Sequence, residues 1–90
     1  MEFLFDKEDA LHKIIQDKKR KTLLRDYNRV LDIFHAAPDF EILPNIRHLE
    51  LRKEGPKKGH FSVKLDQTSR LSFKKISKDS ICLLSIILTS

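Results

Sequence analysis

The sequence predicts an α+β fold in which an N-terminal helical hairpin packs on a small antiparallel sheet of about four strands. In the first half of the chain, apolar residues recur at steps of three and four as far as Phe34, which is the spacing of an amphipathic helix. In the second half, from Phe61 onward, apolar and polar residues alternate with the period of two that is typical of half-buried strands. A chain of 90 residues has room for one domain, so residues 1–90 are expected to form a single unit.

Two helices are expected in the first half. The first follows Asp6, a residue type that caps helix N-termini, and the second is expected to end before Pro38, because proline disfavours helix at the residue before it. The basic run at positions 18–21 is the expected link between them. Leu11, Ile14 and Ile15 form the apolar side of the first helix, and Leu23, Leu24, Tyr27, Val30, Leu31 and Phe34 form that of the second.

The second half is expected to form a meander. Polar segments at 66–69 and 77–80 are read as turns, and the continuous apolar run at 81–88 as a strand buried on both faces. Phe3 and Phe5 alternate with their neighbours and could add a short opening strand. The expected strands of the meander lie at 47–52, 61–65, 71–73 and 81–88.

Charge and composition restrict the function. The chain has 18 Lys and Arg against 13 Asp and Glu, a net charge of +5 that favours an anionic partner, with nucleic acid ahead of a membrane surface. The single cysteine, Cys82, excludes an internal disulfide, fits a reducing cytoplasm and is expected to be a buried thiol. The first residues are acidic where a signal peptide is basic, and the run at 81–88 is too short to cross a bilayer, so a cytoplasmic protein with no membrane partner is expected.

Three short motifs, taken in order, resemble killer proteins of the RelE/HigB type, which are toxins of type II toxin–antitoxin systems. The motifs are LDIFHAA at 31–37, GPKKGHFSV at 55–63 and RLSF at 70–73. With the two helices, they extend the resemblance over nearly the whole chain. The resemblance implies a compact fold like that of microbial ribonucleases, and a toxin that enters the ribosomal A site and cuts messenger RNA. It also implies a cognate antitoxin, usually a small helix-turn-helix protein of the HigA kind.

Cleavage of RNA without a metal ion has three chemical requirements. The 2′-hydroxyl must be activated, the charge on the phosphorane must be stabilised and the leaving oxygen must be protonated. Cations near the phosphate can stabilise the charge, and histidine, tyrosine or lysine can transfer the protons. The four histidines are scattered and there are two glycines in all, so neither metal-ligand spacing nor a glycine-rich phosphate loop is evident. No metal or cofactor is therefore expected.

The candidate catalytic residues are Arg70, His48 and His60. Arg70 matches the strand arginine of the family, which by the resemblance helps to bind the scissile phosphate; the alternative is an exposed strand charge. His48 is the candidate for the family's histidine in a His-x-Leu-Lys-Gly phrase, and His60 stands where the family has an aromatic or polar residue. Basic residues of the sheet half are expected to contact RNA or the ribosome, with a solvated face as the alternative, and these are Arg52, Lys53, Lys57, Lys58 and Lys74.

The C-terminal end departs from the family's pattern. HigB-like toxins usually carry tyrosine and histidine after the last strand, whereas this chain ends in ILTS at 87–90. Acid–base groups typically contribute about 100- to 10,000-fold, so cleavage without such a tail is expected to be slower. The leading hypothesis is a toxin that acts as a ribosome-dependent mRNA endoribonuclease. The alternatives are a catalytically weakened or inactive relative that only binds antitoxin or ribosome, and an unrelated basic nucleic-acid-binding module.

Overall fold

The computed structural model describes residues 1–16 and 22–88. The basic run at 18–21, which the sequence places between the helices, and the last two residues of the C-terminal end lie outside the described residues. In chain order the elements are β1 (Glu2–Phe5), α1 (Glu8–Ile15), α2 (Leu23–Ala36), two 3₁₀ helices (Phe40–Asn45 and Arg47–Leu49), β2 (Arg52–Lys53), β3 (His60–Asp66), β4 (Ser69–Ser77) and β5 (Ser80–Leu88).

The sheet is mixed and has five strands, in the order β1-β5-β4-β3-β2. Strands β2 to β5 pair antiparallel with their neighbours, whereas β1 lies parallel to β5. The α+β class and the antiparallel meander are confirmed, but the prediction of about four strands, all antiparallel, is wrong. The parallel pair aligns Glu2 with Ser80, from opposite halves of the chain, and alternation within a segment carries no information about so distant a partner.

Helix α2 follows the pattern read from the sequence in part, because Leu24, which was expected on its apolar side, is 49% exposed. Tyr27 and Phe34 are buried on its apolar side, because residues three and four apart face the same way. The helix ends at Ala36, and Ala37 is extended ahead of Pro38, as the proline predicts.

Helix α1 begins differently from the prediction. The residue before it is Lys7, which makes no side-chain capping bond, so the expected cap by Asp6 is wrong. The backbone N–H of Asp6 instead donates to the carbonyl of Leu83, at 3.0 Å, and so continues the pairing of β1 with β5. Asp6 therefore belongs to the end of the strand rather than to the helix.

The core lies between the helices and one face of the sheet. Phe34 of α2 and Phe73 of β4 are both fully buried, and their ring centroids are 5.4 Å apart in an edge-to-face arrangement. On β3 and β4 the apolar core residues alternate with polar residues of the other face, as the period of two requires, although three of those polar residues, Ser62, Arg70 and Ser72, are buried as well. The helices therefore cover one face, and on β3 and β4 the other face carries polar groups.

The strand expected at 47–52 is wrong. Residues Arg47–Leu49 form a 3₁₀ helix that places Leu49, with no exposed surface, in the core. Glu50 then adopts a left-handed conformation with φ of +45°, and strand pairing begins at Arg52. The apolar alternation of this segment arises from the buried side chain of Leu49, after which the chain turns sharply at Glu50. The period of a strand does not describe such a turn.

Strand β5 is buried on one face only, contrary to the prediction. Ile81, Leu83 and Ile86 face the core, whereas Ser85 is exposed and Cys82 is half-buried. Both α-helices pack on the same side of the sheet, so the other side of β5 has no covering layer among the described elements. Within residues 1–16 and 22–88, no helix is long and apolar enough to cross a membrane.

Candidate functional site

A polar cleft of about 290 Å³ opens on the face of the sheet opposite the helices, called the open face below. Strand register defines this face, because Lys64 of β3 lies directly across from Arg70 of β4, and both alternate with core residues. The turn between β3 and β4 forms one wall, and the segment that precedes β2 forms the other. The cleft is lined by Glu50, Arg52, Lys64, Asp66, Gln67, Ser69 and Arg70.

Arg70 is the most enclosed cation of the cleft, with 8% of its surface exposed. Its Nε donates to Ser62 Oγ at 2.8 Å, and its Nη2 donates to the Ser62 carbonyl at 3.1 Å and to the Glu50 carbonyl. Burial lowers the pKa of Arg70, as does neighbouring Arg52. The guanidinium is thus a fixed charge, held by neutral acceptors at the base of the cleft.

Glu50 is the exposed carboxylate of the cleft. Its Oε2 lies 3.0 Å from Lys64 Nζ, and the hydrogen bond and charge of Lys64 lower the pKa of Glu50 below its ordinary value. It is the one residue other than glycine in the described chain with a positive φ. The left-handed turn therefore brings both its carbonyl and its carboxylate to the cleft, the first to Arg70 and the second to Lys64.

A second carboxylate, Glu54, lies behind Arg70. Its Oε1 accepts from Ser62 Oγ at 2.6 Å and from Arg52 Nε at 3.3 Å. These bonds, led by the one from Ser62, lower the pKa of Glu54 despite partial burial. Arg52 and Arg70 are consequently connected to one carboxylate, the first directly and the second through a serine hydroxyl.

Asp66 has a structural role in the turn between β3 and β4. Its Oδ1 accepts from Ser69 Oγ at 2.7 Å, from the Thr68 backbone N–H at 2.8 Å and from Thr68 Oγ1 at 3.2 Å. Burial on its own would raise the pKa of Asp66, but these bonds outweigh it and lower the pKa. Because its Oδ1 accepts three bonds within the turn, Asp66 shapes the cleft wall.

The cleft combines groups that can bind a phosphate and move a proton. Three cations face two carboxylates along its lining, so an anionic ligand would compete with Glu50 for Lys64. Arg70 offers charge from a fixed position, and Glu50 is an ionised carboxylate open to solvent. Within the part of the chain that the structure describes, no three histidine, cysteine or acidic side chains are grouped so as to hold a metal ion.

The comparisons with known proteins support the fold alone. No protein-family model matches the chain, and no curated protein matches it. Among solved structures, it is similar to a YoeB/ParE toxin from Agrobacterium tumefaciens, with a TM-score of 0.60 and 13% identity over 100% of both chains. The two chains share one fold. The expectation of a toxin fold is thereby confirmed at the level of fold, and the assignment to the RelE/HigB type remains a prediction.

The structure brings two of the predicted residues into the cleft, Arg70 and Arg52. Arg70 is buried rather than an exposed strand charge. His60 lies on the open face, directly across from Lys74, but four residues along β3 from Lys64, which corresponds to about 13 Å. The other predicted residues are exposed and do not line the cleft; they are His48 on its 3₁₀ helix, Lys53 on β2, and Lys57 and Lys58 in the following loop.

Sequence reasoning did not single out Glu50, Ser62 or Lys64 as site residues. A signal for two of them was present, because Ser62 and Lys64 alternate with apolar residues and fall on the face of Arg70 once β3 and β4 are paired. Glu50 had no such signal. Its place in the cleft depends on a left-handed backbone conformation in a segment that was read as a strand.

Proposed function

We propose that this chain is the toxin of a toxin–antitoxin module and that it cuts messenger RNA on the ribosome without a metal ion. The observation that carries the proposal is the cleft itself, in which the fixed guanidinium of Arg70 lies beside the ionised carboxylate of Glu50. The cleft lies on a fold that a YoeB/ParE toxin also has. The sequence motifs support the HigB type within this proposal.

In this proposal the residues of the cleft divide the chemistry between them. Glu50 accepts the proton of the 2′-hydroxyl as its oxygen attacks the phosphorus, and Arg70 stabilises the negative charge that develops on the phosphate oxygens. The bond from phosphorus to the 5′-oxygen then breaks, and that oxygen takes a proton from the ammonium of Lys64. Lys64 Nζ lies 3.0 Å from Glu50 Oε2, so the acid and the base of this proposal are neighbours in the cleft.

The remaining predicted residues are assigned to RNA binding. His60 and Lys74 share the open face with the cleft, and a single strand that crosses this face would meet them next. Exposed cations on β2 and its loop can contact neighbouring phosphates or ribosomal RNA. His48 lies outside the cleft lining and is assigned a contact rather than a proton transfer. The exposed cations of β2 and its loop are Arg52, Lys53, Lys57 and Lys58.

The proposed partner is an antitoxin, with a helix-turn-helix protein of the HigA kind as the specific proposal. A toxin that stops translation in the cytoplasm needs such a partner for the cell that makes it to survive. The net charge of +5 favours an acidic binding segment in that partner.

The experiment is to add the purified protein to reconstituted translating ribosomes and to map cuts in the messenger RNA. We expect cuts that require the ribosome, and a loss of about 100- to 1,000-fold in Arg70→Ala, as for removal of a preorganised donor. Arg25→Ala is the control, because the Arg25 side chain on α2 is 77% exposed and far from the open face in the fold. Absence of cuts from folded wild-type protein would refute the proposal.

One observation favours a second candidate, a relative that binds antitoxin or ribosome with little or no cleavage. The groups needed for chemistry are engaged with one another, since Glu50 is paired with Lys64 and Arg70 donates to three protein acceptors. Folded wild-type protein that binds ribosomes but leaves the messenger RNA intact would establish this candidate.

A further inference from the structure

Arg70 is joined to Glu54 through a single hydroxyl group. Arg70 Nε is 2.8 Å from Ser62 Oγ, which in turn is 2.6 Å from Glu54 Oε1. Arginine only donates and a carboxylate only accepts, so the Ser62 hydroxyl must accept from Arg70 and donate to Glu54. Ser62 has no exposed surface, so water does not reach its hydroxyl.

Part of the Arg70 guanidinium makes no hydrogen bond to the described residues. The guanidinium has five N–H groups. Nε binds the Ser62 hydroxyl, and Nη2 binds the carbonyls of Ser62 and Glu50. Among the described residues, Nη1 has no hydrogen-bond partner, and Arg70 lines the cleft.

We propose that Ser62 and Glu54 are positioning residues, which hold the guanidinium of Arg70 so that Nη1 is presented to the RNA phosphate. The inference rests on the proposed function of the cleft. An arginine held in this way needs no reorganisation when charge develops on the phosphate, whereas a free side chain would have to be ordered first. Lysine lacks the planar arrangement of donors and cannot be held by the same two atoms of Ser62.

Glu54 also stabilises the positive charge of Arg70 electrostatically. Burial and Arg52 lower the pKa of Arg70, while Glu54 and Glu50 raise it. Glu54 thus offsets part of the desolvation of the arginine without touching it, since the Ser62 hydroxyl lies between them.

The test compares two buried serines that face each other across β3 and β4. Ser62→Ala removes the link to Arg70, whereas Ser72→Ala removes the hydroxyl directly opposite, which is 9% exposed and does not line the cleft. We expect Ser62→Ala to lower the single-turnover cleavage rate about tenfold or more, as for loss of a charge-assisted hydrogen bond. Ser72→Ala should remain within about twofold of wild type.

A double-mutant cycle separates positioning from a merely structural role. In an Arg70→Lys background, Ser62→Ala should change the cleavage rate by less than about twofold, because lysine has no Nε group for Ser62 to hold. Losses that multiply in the double variant would overturn the inference. Wild-type rates in Ser62→Ala, from protein of unchanged fold, would overturn it as well.

A second readout does not depend on activity. Hydrogen exchange of the Arg70 Nε–H, followed by NMR, should be slow in wild type and in Ser72→Ala and fast in Ser62→Ala. Equal exchange in all three proteins would contradict the positioning. If wild-type protein shows slow exchange but cuts no RNA, the proposed function is refuted and the positioning inference is not. The same double-mutant cycle is then measured as affinity for a single-stranded RNA oligonucleotide. Non-additive losses of affinity support the inference, and additive losses overturn it.

Discussion

Replacement of Tyr27 by phenylalanine should stabilise the protein. Tyr27 is buried, with 3% of its surface exposed, and its hydroxyl has no hydrogen-bond partner among the described residues. A buried hydroxyl without a partner costs about 1–3 kcal/mol in protein mutational data. Phenylalanine retains the ring and removes one oxygen, so Tyr27→Phe should gain about 1 kcal/mol, which raises Tm by about 4–8 °C in a domain of this size.

The measurement is thermal unfolding of both proteins by circular dichroism. A lower Tm in Tyr27→Phe would refute the reasoning, because it would show that the hydroxyl makes a favourable bond in solution. Cleavage should be unchanged in this variant, since the proposed chemistry uses Glu50, Lys64 and Arg70. A loss of cleavage without a loss of stability would assign Tyr27 a role in the reaction that its place in the core does not suggest.

The pH dependence of stability gives an independent check on Tyr27. Burial raises the pKa of the Tyr27 phenol above its ordinary value of 10.0, and the charge of Glu8 acts in the same direction. As the pH rises above about 10, the unfolded chain releases this proton while the folded chain retains it, so stability falls. In Tyr27→Phe, the loss of stability above about pH 10 should be smaller, because the tyrosine proton no longer contributes to it. The chain has one tyrosine, so ultraviolet titration reports on it alone, and titration at the ordinary value would contradict the burial.

Three further predictions concern the fold. Phe73→Ala, at a fully buried position, should cost about 3–5 kcal/mol in chemical denaturation, and a loss below about 1 kcal/mol would show that the core packs differently. The pKa values of Glu54 and Asp66 are lowered in the folded state, so their stabilisation is present above the ordinary carboxyl pKa near 4 and lost as the pH falls through the lowered values. The urea midpoint should therefore decrease from pH 6 to pH 3, less so in Asp66→Asn, and equal slopes in both proteins would count against the turn bonds. Gly59→Ala should cost about 1–2 kcal/mol, because φ is +81° and alanine is strained in this conformation; an unchanged Tm would contradict this.

The parts of the fold that the sequence predicted are those set by neighbours in the chain. Tyr27 and Phe34 lie on one side of α2 because helical spacing alone brings them together. The hairpin of β3 and β4 follows from alternation on either side of the polar turn at Asp66. In both cases the structural partner is only a few residues away, and the pattern contains the information.

The parts that the sequence did not predict depend on contacts between distant residues. Arg70 is buried because Ser62, eight residues away, and Glu50, twenty residues away, supply its acceptors. A basic residue in an alternating strand is ordinarily solvated, and no local pattern separates the two cases. Two residues of the candidate cleft, Arg70 and Arg52, were among the predicted site residues, while its carboxylates and Lys64 required the pairing of strands and the left-handed turn.

The parallel pairing of β1 with β5 affects how the protein forms during its own synthesis. Glu2 aligns with Ser80, and Phe5 aligns with Leu83, so the edge of the sheet cannot close until the last strand is available. Contacts of such large sequence separation form late in folding. Residues 2–5 therefore remain unpaired until residues 80–83 have been made, and Arg70 gains its neighbours on β5 only once that strand is available.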